Sequence, residues 1–260
     1  MRRHFISRND EVVGIAYNRR MTINTKHGTL YLIPVTLGDD NIRAVLPPDV
    51  IKIAQNIEHF VVESEKSARH FLSIIKTAKP VRELSLNLLN EHTLDKDVFA
   101  LLTPLLAGKD VGLMSDAGCP GIADPGAKLV ELAHLKNIKV VPFVGPSSIV
   151  LSLMASGLNG QQFAFLGYLP VDKTARNLRL KEIEKRSQTH KETQIFIETP
   201  YRNGHMLEAI LTSCNANTRL CIACHISLPD EMIVTRRISE WKQSALPDLN
   251  KKPTVFLLLV

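Results

Sequence analysis

Residues 115–126, SDAGCPGIADPG, concentrate the residue types that let a chain hold a small polar molecule. Ala117, Gly118, Gly121 and Ala123 carry too little side chain to keep a ligand off the backbone. Asp116 and Asp124 flank them with carboxylates, and Pro120 and Ile122 add apolar surface. On composition alone the same stretch is also a glycine-rich connection with a capping Asp. A second loop, Gly145-Pro146-Ser147-Ser148, repeats the small and polar pattern. Neither has the G-x-G-x-x-G spacing of a dinucleotide fingerprint or the G-x-x-x-x-G-K-[ST] spacing of a phosphate loop, so a nucleotide triphosphatase is not expected. Cys221-Ile222-Ala223-Cys224-His225 matches the haem attachment pattern C-x-x-C-H. Haem attachment needs an export signal, and zinc would need a second Cys/His pair where only Cys214 is near. In a strand the two thiols point to opposite faces, so they read as buried strand cysteines, and no metal site is expected.

The loops need elements to hold them. The apolar run Leu30, Leu32, Ile33, Val35 is stopped by Pro34 and Gly38 and reads as a buried strand. Residues 50–57 read as a helix, 60–63 as a strand, 68–76 and 98–106 as helices, the last stopped by Gly108. Residues 111–114 read as a strand entering the first loop. Asp124 then caps a helix with Pro125 in its first turn, ended at Asn137, before a strand at 138–143. Strand, loop and helix alternating in this way predict an α/β protein with a largely parallel sheet, whose ligand loops lie at the carboxyl ends of the strands. Past Gly160 the strands at 163–169, 194–198, 220–226, 232–238 and 254–260 outnumber the helices at 173–186 and 201–213. A domain boundary is therefore expected near 158–163, giving an N-terminal α/β domain at 28–160 and a mixed α/β C-terminal domain at 161–260.

Apolar residues make up 45% and charged residues 22% of 260, which excludes a disordered or collagen-like chain. Four cysteines exclude a disulfide scaffold and fit a reducing compartment. The net charge of +6 is uneven: residues 1–27 carry +4 and 173–191 carry +5, so the rest of the chain is slightly acidic. Residues 1–27 show no sustained periodicity and read as a disordered tail, with a phosphate-binding arm or a translation start at Met21 as alternatives. No run approaches the roughly 18 apolar residues of a membrane span, and no apolar signal core follows Met1, so a cytoplasmic protein is expected.

Five segments then fall into a known order. GTLYLIPVTLGD, SDAGCPGIADPG, VVPFVGPSS, FAFLGYLP and FIETPYRN begin at Gly28, Ser115, Val140, Phe163 and Phe196. Together they resemble the ribosomal RNA small subunit methyltransferase I family of the tetrapyrrole methylase superfamily, over residues 28–260. The resemblance implies a two-domain fold with S-adenosyl-L-methionine in the cleft between the domains, and a homodimer. It implies that Asp116, Ala117, Gly118, Pro120, Ile122 and Ala123 line the cofactor site, joined by Pro146, Ser147 and Ser148. Phe165, Gly167 and Leu169 would close it from the second domain. Glu198 and Arg202 match the E-[ST]-P-x-R motif, where a structural ion pair is an equal reading.

The departures fall on the acceptor side. The pattern P-x-P-I-G-N-L-x-D-I-T-x-R-A is here Pro34-Val35-Thr36-Leu37-Gly38-Asp39-Asp40-Asn41. A-E-D-T-R is replaced by Val62-Glu63-Ser64-Glu65-Lys66, and H-E-H-N by Leu89-Asn90-Glu91-His92. The family's usual acceptor, a cytidine ribose 2′-hydroxyl of 16S rRNA, is thereby in question. A general base for a hydroxyl acceptor would come from Glu63, Glu65, Glu91, His92 or Asp39, and the sequence does not choose among them. The basic segment, with Lys173, Arg176, Arg179 and Lys181 at helical spacing, reads either as a solvated face or as a surface for RNA phosphates. The expected function is methyl transfer to an RNA ribose, with rRNA or a ribosomal subunit as partner. The alternatives are a small-molecule, tetrapyrrole-type methylase and a catalytically retired paralogue that binds cofactor or RNA.

Overall fold

The computed structural model describes residues 27–260. The tail expected at 1–27 and the alternative start at Met21 lie, but for His27, outside the described residues. The first half of the chain runs β1 (Thr29–Leu32), α1 (Ile42–Val45), α2 (Pro48–Gln55), β2 (His59–Val62), α3 (Glu65–Ile75), β3 (Ser85–Leu88), α4 (Asp95–Val98), α5 (Thr103–Leu106), β4 (Val111–Met114), α6 (Gly126–Leu135), β5 (Lys139–Pro142) and α7 (Ser148–Ser156). The second half runs β6 (Phe163–Tyr168), α8 (Lys173–His190), β7 (Thr193–Ile197), α9 (Asn203–Ser213), β8 (Arg219–Cys224), β9 (Met232–Arg237), α10 (Ile238–Gln243) and β10 (Thr254–Leu259).

The first sheet has the order β3-β2-β4-β1-β5 and is parallel throughout. Its apolar strands are covered on both faces, as a parallel sheet requires. Ile33, Phe60, Val62 and Met114 pack with α1, α2 and α3 on one face, through Ile42, Ala54, Phe71 and Leu72. Leu30, Val61, Val111 and Leu113 pack with Leu102, Leu105, Leu129 and Ala133 on the other. The second sheet, β6-β7-β10-β8-β9, is parallel only between β6 and β7. Its central strand β10 is buried along its whole length. Residues of α8, α9 and α10 cover one face, with Trp241 donating its indole N–H to Leu220 O at 3.0 Å. On the other face α7, reaching over from the first half, packs Leu153 against Ile195, Cys221, Val255 and Leu257.

The α/β class with one parallel and one mixed sheet is as expected from the sequence. Local differences have local causes. Residues 98–106 do not form one helix: a 3-10 turn at Phe99–Leu102 separates α4 from α5. Pro104 lacks the N–H that a continuous helix would use and sits instead in the first turn of α5. Strand β3 (SLNL) is a short edge strand whose two Leu do not distinguish it from a loop. Helix α10 begins at Ile238, where the sequence alone extends the preceding strand. Arg202 is the residue before α9 rather than inside it. No helix among the described residues is long and apolar enough to cross a membrane.

Gly112 lies mid-strand between β1 and β2. A Cβ there would fall 2.6 Å from Ile33 Cδ1 and 2.8 Å from Phe60 Cδ1, both on fully buried side chains. Gly112→Ala is therefore expected to destabilise the fold by about 1–3 kcal/mol, the usual cost of overpacking. Urea unfolding measures this, and an unchanged midpoint would show that the core around β4 is looser than described.

Candidate functional site

All five strands of the first sheet point the same way, so the loops after β1, β2 and β4 leave one edge together. The β1 and β4 loops are stitched by backbone bonds: Val35 N donates to Gly118 O at 2.9 Å, and Gly118 N to Thr36 O at 3.4 Å. Gly118 adopts a φ of +73°, and a Cβ at this position would lie 3.3 Å from Leu37 Cδ2 and from Pro146 O. Asp124 fixes the far end of the loop, accepting from Gly121 N at 2.8 Å and from Gly126 N at 2.6 Å. It caps α6 from one residue further out than the sequence suggests, because Pro125 occupies the cap position. Ser147 caps α7 by accepting from Val150 N at 3.4 Å.

These loops form one wall of a cleft of about 540 Å³ between the two sheets. Leu37, Glu63, Asp116, Ala117, Gly118, Ile122, Ala123, Asp124, Ser147 and Ser148 line it from the first half, with Ser115, Cys119 and Ile149. The opposite wall is the facing edge of the second sheet: Tyr168 ends β6, Ile197 ends β7 with Glu198 directly after it, His225 and Ile226 follow β8, and Pro253, Thr254 and Val255 enter β10. Pro200 and Ala223 complete it.

Of the residues expected at a cofactor site, Asp116, Ala117, Gly118, Ile122, Ala123, Ser147, Ser148 and Glu198 meet in this cleft. Pro120 and Pro146 are buried beneath it; Pro146 O accepts from the Cys119 thiol at 3.3 Å. Phe165 packs into the core under α7 and Leu169 into the core under α8. Gly167 is not among the lining residues either; its φ of +65° lies where the pairing of β6 with β7 shifts register, and Tyr168 is the residue β6 presents to the cleft. Thr254 lies outside every motif the sequence singled out, and Tyr168 sits within FAFLGYLP beside the residues assigned to the cofactor. His225 is the residue that the C-x-x-C-H pattern brought forward and strand geometry set aside. Its neighbours Cys221 and Cys224 are buried on opposite faces of β8, while His225 itself turns out at a φ of +51° and bonds Asp230 through Nδ1 at 2.8 Å. Among the described residues no three His, Cys, Asp or Glu side chains cluster closely enough to hold a metal ion.

Glu198 and Arg202 form an ion pair of 2.7 Å. The Glu198 side chain is only 1% exposed. Its Oε1 accepts from Thr199 N, Arg202 Nε and Arg202 Nη2 at 2.6, 3.0 and 2.7 Å, while Oε2 has no hydrogen-bond partner among the described residues. Arg202 does not line the cleft; it acts on the site through Glu198. A buried carboxylate oxygen beside a cleft, and a glycine whose missing Cβ keeps the floor low, fit a ligand that brings hydrogen-bond donors and lies flat on the backbone.

The candidate bases separate in space. Glu63 lines the cleft and accepts from Asp116 N at 3.0 Å. Glu65 pairs with Arg69 at 3.0 Å, and Glu91 and His92 are exposed beside each other at 3.6 Å. None of these three lines the cleft. Asp39 lines a second cavity that shares Ser115, Asp116 and Ala117 with the cleft. On α8, Lys173 and Lys181 face solvent and Arg179 pairs with Glu182 at 3.0 Å. Arg176 corrects the expected basic surface: it is 7% exposed and donates to Val171 O at 3.0 Å, holding the segment before α8.

Comparison with known proteins is consistent with this architecture. The family described as Tetrapyrrole (Corrin/Porphyrin) Methylases matches residues 29–242. A Xylella fastidiosa protein named Ribosomal RNA small subunit methyltransferase I is 28% identical over 233 residues, covering 90% of this chain and 81% of that protein. The Vibrio cholerae protein of the same name is 31% identical over 234 residues, covering 89% of this chain and 76% of its own. Among solved structures, diphthine synthase superposes with a TM-score of 0.65 at 15% identity, covering 90% of each chain. The methyltransferase CobJ does so with a TM-score of 0.59 at 16% identity, covering 90% of this chain and 93% of its own. At these identities the two structures share the fold.

Burial raises the Glu63 carboxyl above its ordinary value, and the carboxylates of Asp116, Asp124 and Glu91 push the same way, against the Asp116 N–H that it accepts. Burial likewise raises Asp124, against the N–H groups of Gly126, Gly121 and Ile122. The folded chain thus keeps a proton on Glu63 at a pH where the unfolded chain has released it. The stability this group contributes is full below its ordinary value and is lost as pH rises through the raised one. Glu63→Gln keeps a carbonyl oxygen for Asp116 N without the charge. It is expected to raise the melting temperature at pH 7, with the gain vanishing as pH falls toward 4. A melting temperature lowered at pH 7 would show that the carboxylate is needed charged.

Proposed function

The chain belongs to the tetrapyrrole methylase family of S-adenosylmethionine-dependent methyltransferases, and from that premise we propose that the cleft between its sheets binds S-adenosylmethionine for methyl transfer to an RNA ribose hydroxyl. The observation that carries the reading is the convergence of the β4 loop, the start of α7 and Glu198 on one cleft. The backbone at Ala117, Gly118 and Ala123 would seat the cofactor, Ser147 and Ser148 would bond its polar groups, and Glu198 Oε2 would accept from one of its donors. Asp116, Asp124, Glu63 and Glu198 against His225 make the lining rich in carboxylates, which suits a ligand carrying a sulfonium and an ammonium. The bound cofactor supplies the activated methyl group. The protein's task is to align acceptor oxygen, methyl carbon and sulfur, because orientation supplies much of the acceleration.

RNA as acceptor is supported by the names of the relatives and by the exposed lysines 173, 181 and 185 on α8, beyond β6 of the cleft wall. The same reading divides the chain into working domains at 28–160 and 161–260, with α7 covering the second sheet, and places the protein in the cytoplasm. It pairs two copies of the chain through an apolar patch. Val144 and Met154 are 75% and 74% exposed, and Val150 on the same face of α7 is 48% exposed. Light scattering should find a dimer that Met154→Glu converts to monomer; a wild-type monomer at micromolar concentration would remove this patch as the interface.

Calorimetry tests the cofactor. S-adenosylmethionine should bind the wild-type chain, and Gly118→Trp should weaken binding by at least about 100-fold, since an indole leaves no floor for the ligand. Undiminished affinity in a folded Gly118→Trp variant would place the cofactor elsewhere. Incubation with labelled cofactor and RNA from a strain deleted for the gene should put label on a ribose. Label found only in protein or small molecules would exclude RNA as the acceptor.

A further inference from the structure

The second cavity, of about 510 Å³, lies beside the cleft. Ser115, Asp116 and Ala117 line both spaces, so the two adjoin along this loop. Ile42, Phe71, Ile74 and Met114 give the second cavity an apolar side. Thr36, Asp39 and Asp40 from the β1 loop, and Lys66, Ser67 and His70 from α3, give it a polar one. His70 Nε2 lies 2.7 Å from Asp40 Oδ1, and Asp39 Oδ1 is buried with no hydrogen-bond partner among the described residues. The β1 loop and the segment ending at Lys66 are also two of the segments where the sequence departs from the pattern of the family it resembles.

We infer that this second cavity receives the acceptor nucleotide and that His70, oriented by Asp40, takes the proton of the hydroxyl that is methylated; the inference rests on the reading of the neighbouring cleft as the cofactor site. The volume suits one nucleotide. The apolar side, where Ile74 is partly exposed, offers contact to a base, Lys66 offers an ammonium to a phosphate, and Asp39 Oδ1 awaits a hydroxyl or amino donor. An Nε2–H donated to Asp40 leaves the lone pair on His70 Nδ1, which is the arrangement of a base held in one tautomer by a carboxylate. In the transfer the acceptor O–H bond breaks and its proton goes to Nδ1. The oxygen forms a bond to the methyl carbon, the C–S bond breaks, and its electron pair stays on sulfur, which leaves as a thioether. The positive charge lost at sulfur is regained on the imidazolium, beside Asp40. Asp39 and Asp116 across the cavity, and Lys66 one turn before His70, are the other charged groups around it.

Both partners of the pair are exposed, so substitution leaves the fold standing. Single-turnover methyl transfer at saturating S-adenosylmethionine should fall about 100-fold or more in His70→Ala, the ordinary worth of a general base. His70→Gln, which can still bond Asp40 but cannot take the proton, should fall as far. Calorimetric affinity for S-adenosylhomocysteine should be unchanged in both. In the protein loaded with S-adenosylhomocysteine, the RNA that the wild type methylates should shift the His70 imidazole resonance, identified by its absence in His70→Gln. Transfer by His70→Gln at the wild-type rate, or an unmoved resonance at saturating RNA, overturns the inference and leaves the cofactor reading intact. Loss of S-adenosylhomocysteine binding in the wild type overturns the cofactor reading, and this inference with it.

Discussion

The site depends on the backbone contact between the β1 and β4 loops. These strands are neighbours in the middle of a parallel sheet, so their carboxyl ends emerge side by side. Pairing Val35 N with Gly118 O converts two independent loops into one continuous surface. The same closeness makes glycine necessary in the next loop: a Cβ at Gly145 would fall 2.1 Å from Pro34 Cβ. With the β1, β4 and β5 loops thus packed, the start of α7 has one place to go. That helix carries the chain across to the second sheet and buries Leu153 there. One local constraint in the first sheet therefore sets where the second sheet sits, and so where the cleft opens.

Two cavities that share residues 115–117 follow from this arrangement. The cleft takes its far wall from strand ends of the second sheet, whereas the second cavity takes its far wall from α3 of the first half. Their linings differ accordingly. The cleft has backbone exposed by small residues and carboxylates held by loop N–H groups, suited to a rigid fit around a constant ligand. The second cavity adds polar side chains of the β1 loop and α3, among them Asp39, Lys66 and His70, to core residues such as Phe71 and Met114. A family that keeps one cofactor while changing acceptors would be expected to vary the second lining and preserve the first. The departures in this sequence follow that division: the β4 loop is well matched, and the segments around Asp39 and Lys66 are not.

Strands buried on both faces, such as β4 and β10, announced themselves as apolar runs, and the loops that end them announced themselves through Gly, Pro, Ser and Asp. That was enough to bring the β4 loop and the start of α7 forward as candidates, and the structure places both on one cleft. What the sequence left dark depends on pairing across long separations. Tyr168 rather than Phe165 faces the cleft because β6 and β7 shift register between Phe165 and Tyr168, and no local pattern encodes that shift. His225 joins the cleft because β8 runs antiparallel to β10, bringing the end of one beside the start of the other. Arg176 fits the spacing of a basic helix face, yet that position turns toward the core. Its carbonyl partner, five residues back, belongs to a turn whose geometry spacing alone does not reveal.

Glu198 shows how structural and functional readings of one residue combine. A side chain this buried, left with one bare carboxylate oxygen, costs roughly 1–3 kcal/mol in unmet hydrogen bonding, and more when charged. An ion pair serving only to orient α9 would be better built with both oxygens satisfied. Here all three donors, from Thr199 and Arg202, converge on Oε1 and hold the carboxylate plane fixed. That fixes the direction of Oε2 as well, which is what a ligand contact needs. On the proposed reading Arg202 is the positioning partner, and the motif that contains both residues is one device: a cation behind the carboxylate, a helix start that holds the cation, and Oε2 left for the ligand.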